Sequence, residues 1–110
     1  HLHLDFFEKR VFVYTPKGDV IELPEGSSTV DFAYAIHSDI GNHISGAKIN
    51  GKMVSIDKHL ERGDVVEIIH NERQKPNRKW LDMCKTTFAK THIRKYLKEN
   101  GGMMDKMLLR

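Results

Sequence analysis

Seven histidines, one cysteine and fifteen carboxylates are the side chains in this 110-residue sequence that chemistry could use. The histidines stand at positions 1, 3, 37, 43, 59, 70 and 92, and only His1 and His3 lie close together in sequence. A zinc site would need more ligands at regular spacing, and Cys84 has no second cysteine beside it. Asp31, Asp39, Asp57 and Asp64 fall at helix starts and turns, where Asp is favoured on backbone grounds alone. Lys17-Gly18-Asp19 sits inside a hairpin and lacks the strand, glycine loop and helix order of a phosphate cradle. Cys84 falls in an apolar helical seam, where a thiol packs and stays inert. With no nucleophile–base set and no acid pair, the chain is expected to bind rather than to catalyse. No metal or cofactor is expected.

The elements around these residues have clear signatures. Val11-Phe12-Val13-Tyr14 is a strand by its β-branched and aromatic content. Thr15 to Asp19 is a turn through Pro16 and Gly18, and Val20 to Leu23 returns as the second arm of a hairpin. Ser27 or Ser28 caps a helix expected from Thr29 to Ile40, with Asp31 in its first turn. Phe32, Ala33, Ile36 and Ile40 share one side of that helix and should face the sheet. Gly41 is expected to end it in a left-handed cap. Gly46 to Ile49 leads into Asn50-Gly51, a strong hairpin signal, and Lys52-Met53-Val54 returns. Ile56 to Leu60 reads as a single helical turn, and Arg62-Gly63-Asp64 as a turn. Val65 to Ile69 reads as a central strand, buried on both sides along part of its length. The order strand, strand, helix, strand, strand describes a small half-open sheet wrapped over one helix, an α+β fold.

Composition changes after His70. We divide the chain into a linker end (1–10), in which Phe6 and Phe7 are candidates to dock, the sheet module (11–70), a second linker (71–78) and the start of a helical region (79–110). Asn77 can cap a helix from Arg78 to about Lys85, and Thr86 or Thr87 a second from Phe88 to Glu99, stopped by Gly101-Gly102. Their apolar seams are too narrow to stand alone. The helices either pack on the sheet module or open a larger helical domain.

Apolar residues make up 39% and charged residues 30% of the chain, which suits a globular protein. No apolar run approaches the roughly 20 residues that span a bilayer. His1 to Arg10 carries charges where a secretion signal would be apolar, and a single cysteine fits a reducing, cytoplasmic setting. The net charge of +3 is unevenly spread. Val11 to Asn71 holds five Lys/Arg against nine acids, whereas Glu72 to Lys98 holds nine against two. A polyanion near the basic tail and a plain solvated helical surface fit that asymmetry equally well.

Taken together, Tyr14-Thr15-Pro16-Lys17-Gly18-Asp19, Asp31-Phe32-Ala33-Tyr34, Ile36-His37-Ser38 and Gly46-Ala47-Lys48 closely resemble a TGS domain, in the wording of the RelA/SpoT family. The tail from Trp80 to Glu99 resembles the helical region that follows this module there. The resemblance covers about 90 residues. It implies a ubiquitin-like β-grasp fold: a mixed sheet packed on one helix, here with a C-terminal helical extension. It also implies a parent protein that makes and often hydrolyses the alarmone (p)ppGpp from guanine nucleotide and ATP, a GTP pyrophosphokinase. Its catalytic domains would lie upstream of this module. In ribosome-bound members the module grips the 3′ CCA end of uncharged tRNA, and the matching histidine is His37. Where many members have Gly-His followed by a basic residue, this chain has Gly41-Asn42-His43.

The residues themselves allow that role. His37 falls at the edge of the buried stripe, where an imidazole can stack on an unpaired base and hydrogen-bond to a sugar or phosphate. A histidine that merely closes the helix end fits the same position. Lys48 and Lys52 flank the Asn50-Gly51 turn and are phosphate candidates or ordinary solvated lysines. Arg73, Lys75, Arg78 and Lys79 form a cluster suited to salt-sensitive RNA contact. Phe12 and Tyr14 would stack on bases only if their side of the strand is uncovered. Two further readings remain. The module could pack on and restrain the catalytic domains of its own chain, or it could belong to a GTPase or threonyl-tRNA synthetase. Self-association is possible on this sequence.

Overall fold

The computed structural model describes residues 9–100. The expectations for His1, His3, Phe6, Phe7 and Gly101-Gly102 lie outside the described residues. Two hairpins come first to hand. Strands β1 (Arg10–Tyr14) and β2 (Val20–Pro24) pair antiparallel, and β3 (Ile44–Ile49) pairs antiparallel with β4 (Lys52–Val54). The second turn works because Asn50 and Gly51 both hold positive φ, at 53° and 85°, which matches the twist of the strands. Strand β5 (Val66–His70) pairs antiparallel with β3 on the side away from β4.

The two ladders meet at one parallel bridge, Tyr14 with Val65. There Tyr14 N–H donates to the Asp64 carbonyl and Gly63 N–H to the Phe12 carbonyl, at 2.8 and 2.9 Å. The strand order is therefore β2-β1-β5-β3-β4, the mixed β-grasp sheet. Alternation sorts its faces. Val11, Val13, Ile49 and Val66 point to the helical side and are buried, whereas Phe12, Tyr14, Lys48, Met53 and Glu67 take the opposite parity.

Helix α1 (Thr29–Ile36) is opened by a full capping box. Ser28 Oγ accepts from Asp31 N–H while the Asp31 carboxylate accepts from Ser28 N–H. The helix stops four residues earlier than its apolar period implies. His37 is extended, at φ −168° and ψ 142°, and a second short helix α2 (Ser38–Asn42) follows it. The expected continuous helix to Ile40 is thus two helices, and Ile36 is left 37% exposed. Gly41 is not a left-handed cap either. It lies inside α2, where a β-carbon would sit 2.4 Å from the Tyr34 ring, so the residue is needed for a close approach. The helical turn expected over Ile56–Leu60 is absent. That segment instead makes a tight turn from Ser55 to Lys58 and pairs with Ser28 through His59, because Leu60 is drawn into the core.

The tail helices are α3 (Trp80–Met83) and α4 (Thr87–Asn100). They pack on the sheet module rather than away from it. One core cluster lies between the sheet and α1, through Val11, Val13, Leu23, Phe32, Ile49, Leu60 and Val66. A second lies between α1 and the tail, through Val30, Ala33, Tyr34, Trp80, Cys84, Ala89, Ile93 and Leu97. Helix α1 is the middle of three layers, and Thr29 to Tyr34 are all buried. A one-sided apolar stripe could not serve it; a helix buried all round needs apolar or satisfied residues on every side.

Candidate nucleic-acid interface

The geometry of this site follows from how α1 ends. His37 N–H still donates to the Ala33 carbonyl, and its own carbonyl accepts from Gly41 N–H to begin α2. Its side chain caps α2, with the Asp39 backbone N–H donating to Nδ1 at 3.0 Å. Nδ1 is bonded to Cγ, as Oδ1 is in Asn, so the ring reaches the same orphan amide that an Asn cap would. A ring nitrogen that accepts carries no proton. The neutral imidazole therefore holds its hydrogen on Nε2, away from the cap. The side chain is 62% exposed. What α2 presents to solvent is an imidazole of fixed tautomer whose Nε2–H has no partner among the described residues.

Beside this junction runs a groove of about 350 Å³. Ile36 and Ile40, the neighbours of His37 at the end of α1 and in α2, form one wall with Phe32; Val66 and Ile68 form another. Its rim carries Lys17, Asp19 and His70. The groove is apolar inside, and no further element among the described residues lines it. Its volume is at the small end of the roughly 300–1,000 Å³ typical of ligand sites.

The other candidate residues are dispersed. Lys48 pairs with Met53 and Glu67, while its neighbours Ala47 and Ile49 are buried on the helical side. It therefore lies on the outer face of the sheet, across the sheet from His37. Lys52 is exposed on edge strand β4, opposite Ile49 at the tip of the hairpin. The basic run 73–79 is not one cluster. Its first half is tied to the start of β3, where the Asn71 N–H donates to the His43 carbonyl and His43 Nδ1 donates to the Gln74 carbonyl at 2.7 Å. Arg73 and Lys75 are thereby held near α2. Arg78 and Lys79 sit beside Leu97, and Lys79 borders Asp57, His59 and Asp82 near the opposite end of α1. His43 is a fastening of this connector. Phe12 is 45% exposed, and Tyr14 is half-buried on the same face of the sheet.

Lys17 escaped the sequence reading. The Pro16-Lys17-Gly18 turn reads only as a turn, and nothing local tells that it lines the same groove as Ile36 at the end of α1. Asp31 was legible as a cap but not as the hub it is. Its carboxylate also accepts from Lys85 N–H, Thr86 N–H and Thr86 Oγ1, at 2.9, 3.0 and 2.8 Å. Those amides turn towards Asp31 instead of continuing a helix, which is why α3 ends at Met83 and not near Lys85. Thr86 Oγ1 then accepts from Ala89 N–H and caps α4. Nearby Cys84 is pushed up to about 12, by burial first and by the Asp31 charge second, so the thiol stays protonated and unreactive.

Comparison with known sequences agrees with the fold. The TGS domain family matches residues 11–70. A guanosine-3′,5′-bis(diphosphate) 3′-pyrophosphohydrolase of Aquifex aeolicus (strain VF5) is 48% identical over 99 residues, covering 90% of this chain and 14% of that protein. A GTP pyrophosphokinase of Myxococcus xanthus is 49% identical over 96 residues, covering 87% and 13%. The bifunctional (p)ppGpp synthase/hydrolase RelA of Mycobacterium tuberculosis (strain ATCC 25618 / H37Rv) is 43% identical over 97 residues, covering 86% and 13%. The chain spans only 13–14% of the length of these curated relatives.

Proposed function

Because the chain belongs to the TGS domain family, in its RelA/SpoT form, we propose that it is the RNA-sensing module of a stringent-response (p)ppGpp synthetase/hydrolase. Its ligand on this reading is the unpaired 3′ CCA end of uncharged tRNA, presented by the ribosome. The observation that carries the reading is the exposed imidazole of His37. Its cap leaves Nε2–H without a partner among the described residues, next in sequence to Ile36 of the apolar groove. A splayed base can stack there at roughly 1–3 kcal/mol, while Nε2–H donates to a sugar, phosphate or base acceptor. The rim acid Asp19 makes the site a poor phosphate trap, so stacking and hydrogen bonding supply its share of affinity. Arg73 and Lys75 are the predicted cations best placed to follow the strand away from it.

The test is made in the parent protein, on ribosomes with deacylated tRNA in the acceptor site. Substituting His37→Glu should abolish tRNA-stimulated (p)ppGpp synthesis and leave basal synthesis intact. Full stimulation by that variant would refute the reading.

The outer sheet face supports a second role. Phe12, Val20 and Met53 are exposed there beside Lys48 and Glu67, whose charges cancel, and such a surface suits protein rather than RNA. Packing of this face on the catalytic part of the parent would restrain it. Phe12→Asp with Met53→Asp should then raise basal synthesis without tRNA; unchanged basal synthesis removes this role.

A further inference from the structure

The tail helix packs on both α1 and α2, and one buried tyrosine links all three. Tyr34 is 1% exposed, and its hydroxyl donates to Asn42 Oδ1 at 2.7 Å, at the far end of α2 from His37. The α2 backbone also lies against the ring, since Gly41 leaves no room for a β-carbon there. From α4, the His92 ring stacks on Tyr34 with centroids 6.0 Å apart and planes 28° from parallel. Phe88 packs on the same imidazole at 4.4 Å. Helix α2 is one short element, capped at one end by His37 and tied at the other to Tyr34. Any slide of α2 on that ring would move the amide of Asp39, and with it the imidazole that accepts from it.

We infer that Tyr34, Asn42 and His92 are positioning residues for His37, so that helix α4 forms part of the RNA-reading site. This deepens the role proposed for His37 and rests on it. The three residues need not touch RNA. They fix where Nε2–H points by holding α2 to α1 and α4, a preorganisation that lowers the ordering cost of binding.

The experiment uses the 110-residue chain and two NMR signals that need no ligand. One is the ring nitrogens of His37, which report tautomer; the other is the Asp39 amide, which reports the cap. Tyr34→Phe and His92→Ala should shift both signals, and His92→Phe, which keeps the stack, should restore them. Leu97→Ala is the control: it truncates the same core on the same helix, more than a turn beyond His92, and should leave both signals in place. A minihelix RNA ending in unpaired CCA then reads the consequence. Tyr34→Phe and His92→Ala should weaken its binding about 3–10-fold, as expected for a misaimed hydrogen bond. Unmoved His37 and Asp39 signals overturn the inference, as do signals moved equally by Leu97→Ala. If His37→Ala itself leaves minihelix binding unchanged, the RNA reading fails; positioning is still judged by the two signals alone.

Discussion

Helix α1 presents a carboxylate at its N-terminal end and an imidazole at its C-terminal end, and the two are treated differently. Asp31 is buried and accepts from five donors on Ser28, Lys85 and Thr86. His37 is largely exposed and accepts from one backbone amide. Both are caps. Asp31 spends every acceptor site on the fold, whereas His37 spends one nitrogen and keeps the other free. The contrast separates the residue that fastens from the residue available to recognise.

Replacing Asp31 should give the largest effect. Asp31→Ala leaves buried amides of two helix starts without acceptors and should cost about 3 kcal/mol. For a domain of this size that lowers the melting temperature by roughly 12–24 °C, readable by calorimetry. Asp31→Asn keeps one acceptor oxygen but turns an amide towards the donors, and should fall in between. A loss below that of an ordinary surface cap would erase the contrast.

An intermediate effect is expected at high pH. Burial raises both Cys84 and Tyr34 above their ordinary values, Cys84 to about 12. In the unfolded chain they ionise near 8.5 and 10. The raised folded values therefore contribute stability that is whole below pH 8.5 and fades as pH rises towards 12. Urea midpoints should decline over that window, and Cys84→Ala should flatten the part that begins near 8.5. A flat wild-type profile would contradict the burial of these groups.

The smallest stability effect belongs to His37. His37→Ala removes one exposed cap and should cost less than about 1 kcal/mol in urea denaturation, while the tRNA response is lost. A larger stability cost would place His37 with Asp31 as a fastening.

How much of this was visible in the sequence follows from the range of each interaction. The Pro16-Lys17-Gly18 and Asn50-Gly51 turns, the Ser28–Asp31 box and the Thr86 cap are short-range, and each was legible. The break at His37 was hidden because the apolar spacing of Phe32, Ala33, Ile36 and Ile40 runs on through it, and histidine is not a usual cap. The second role of Asp31 was invisible because its partners lie 54 and 55 residues away. The burial of Tyr34 follows from the same cause, since α4 supplies the cover. The family wording singled out His37; the wheel placed it only at an edge.

The separation between Asp31 and Thr86 also has a consequence in time. During synthesis the carboxylate leaves the ribosome 55 residues ahead of the amides it accepts. At about 5–20 residues per second, that gap is roughly 3–11 seconds. Strand β5 ends 39 residues after Asp31, so only over the last 16 residues of that gap, about 1–3 seconds, can the grasp sheet close over Phe32 while Val30, Ala33 and Tyr34 still face water, awaiting a helix that has not yet been made.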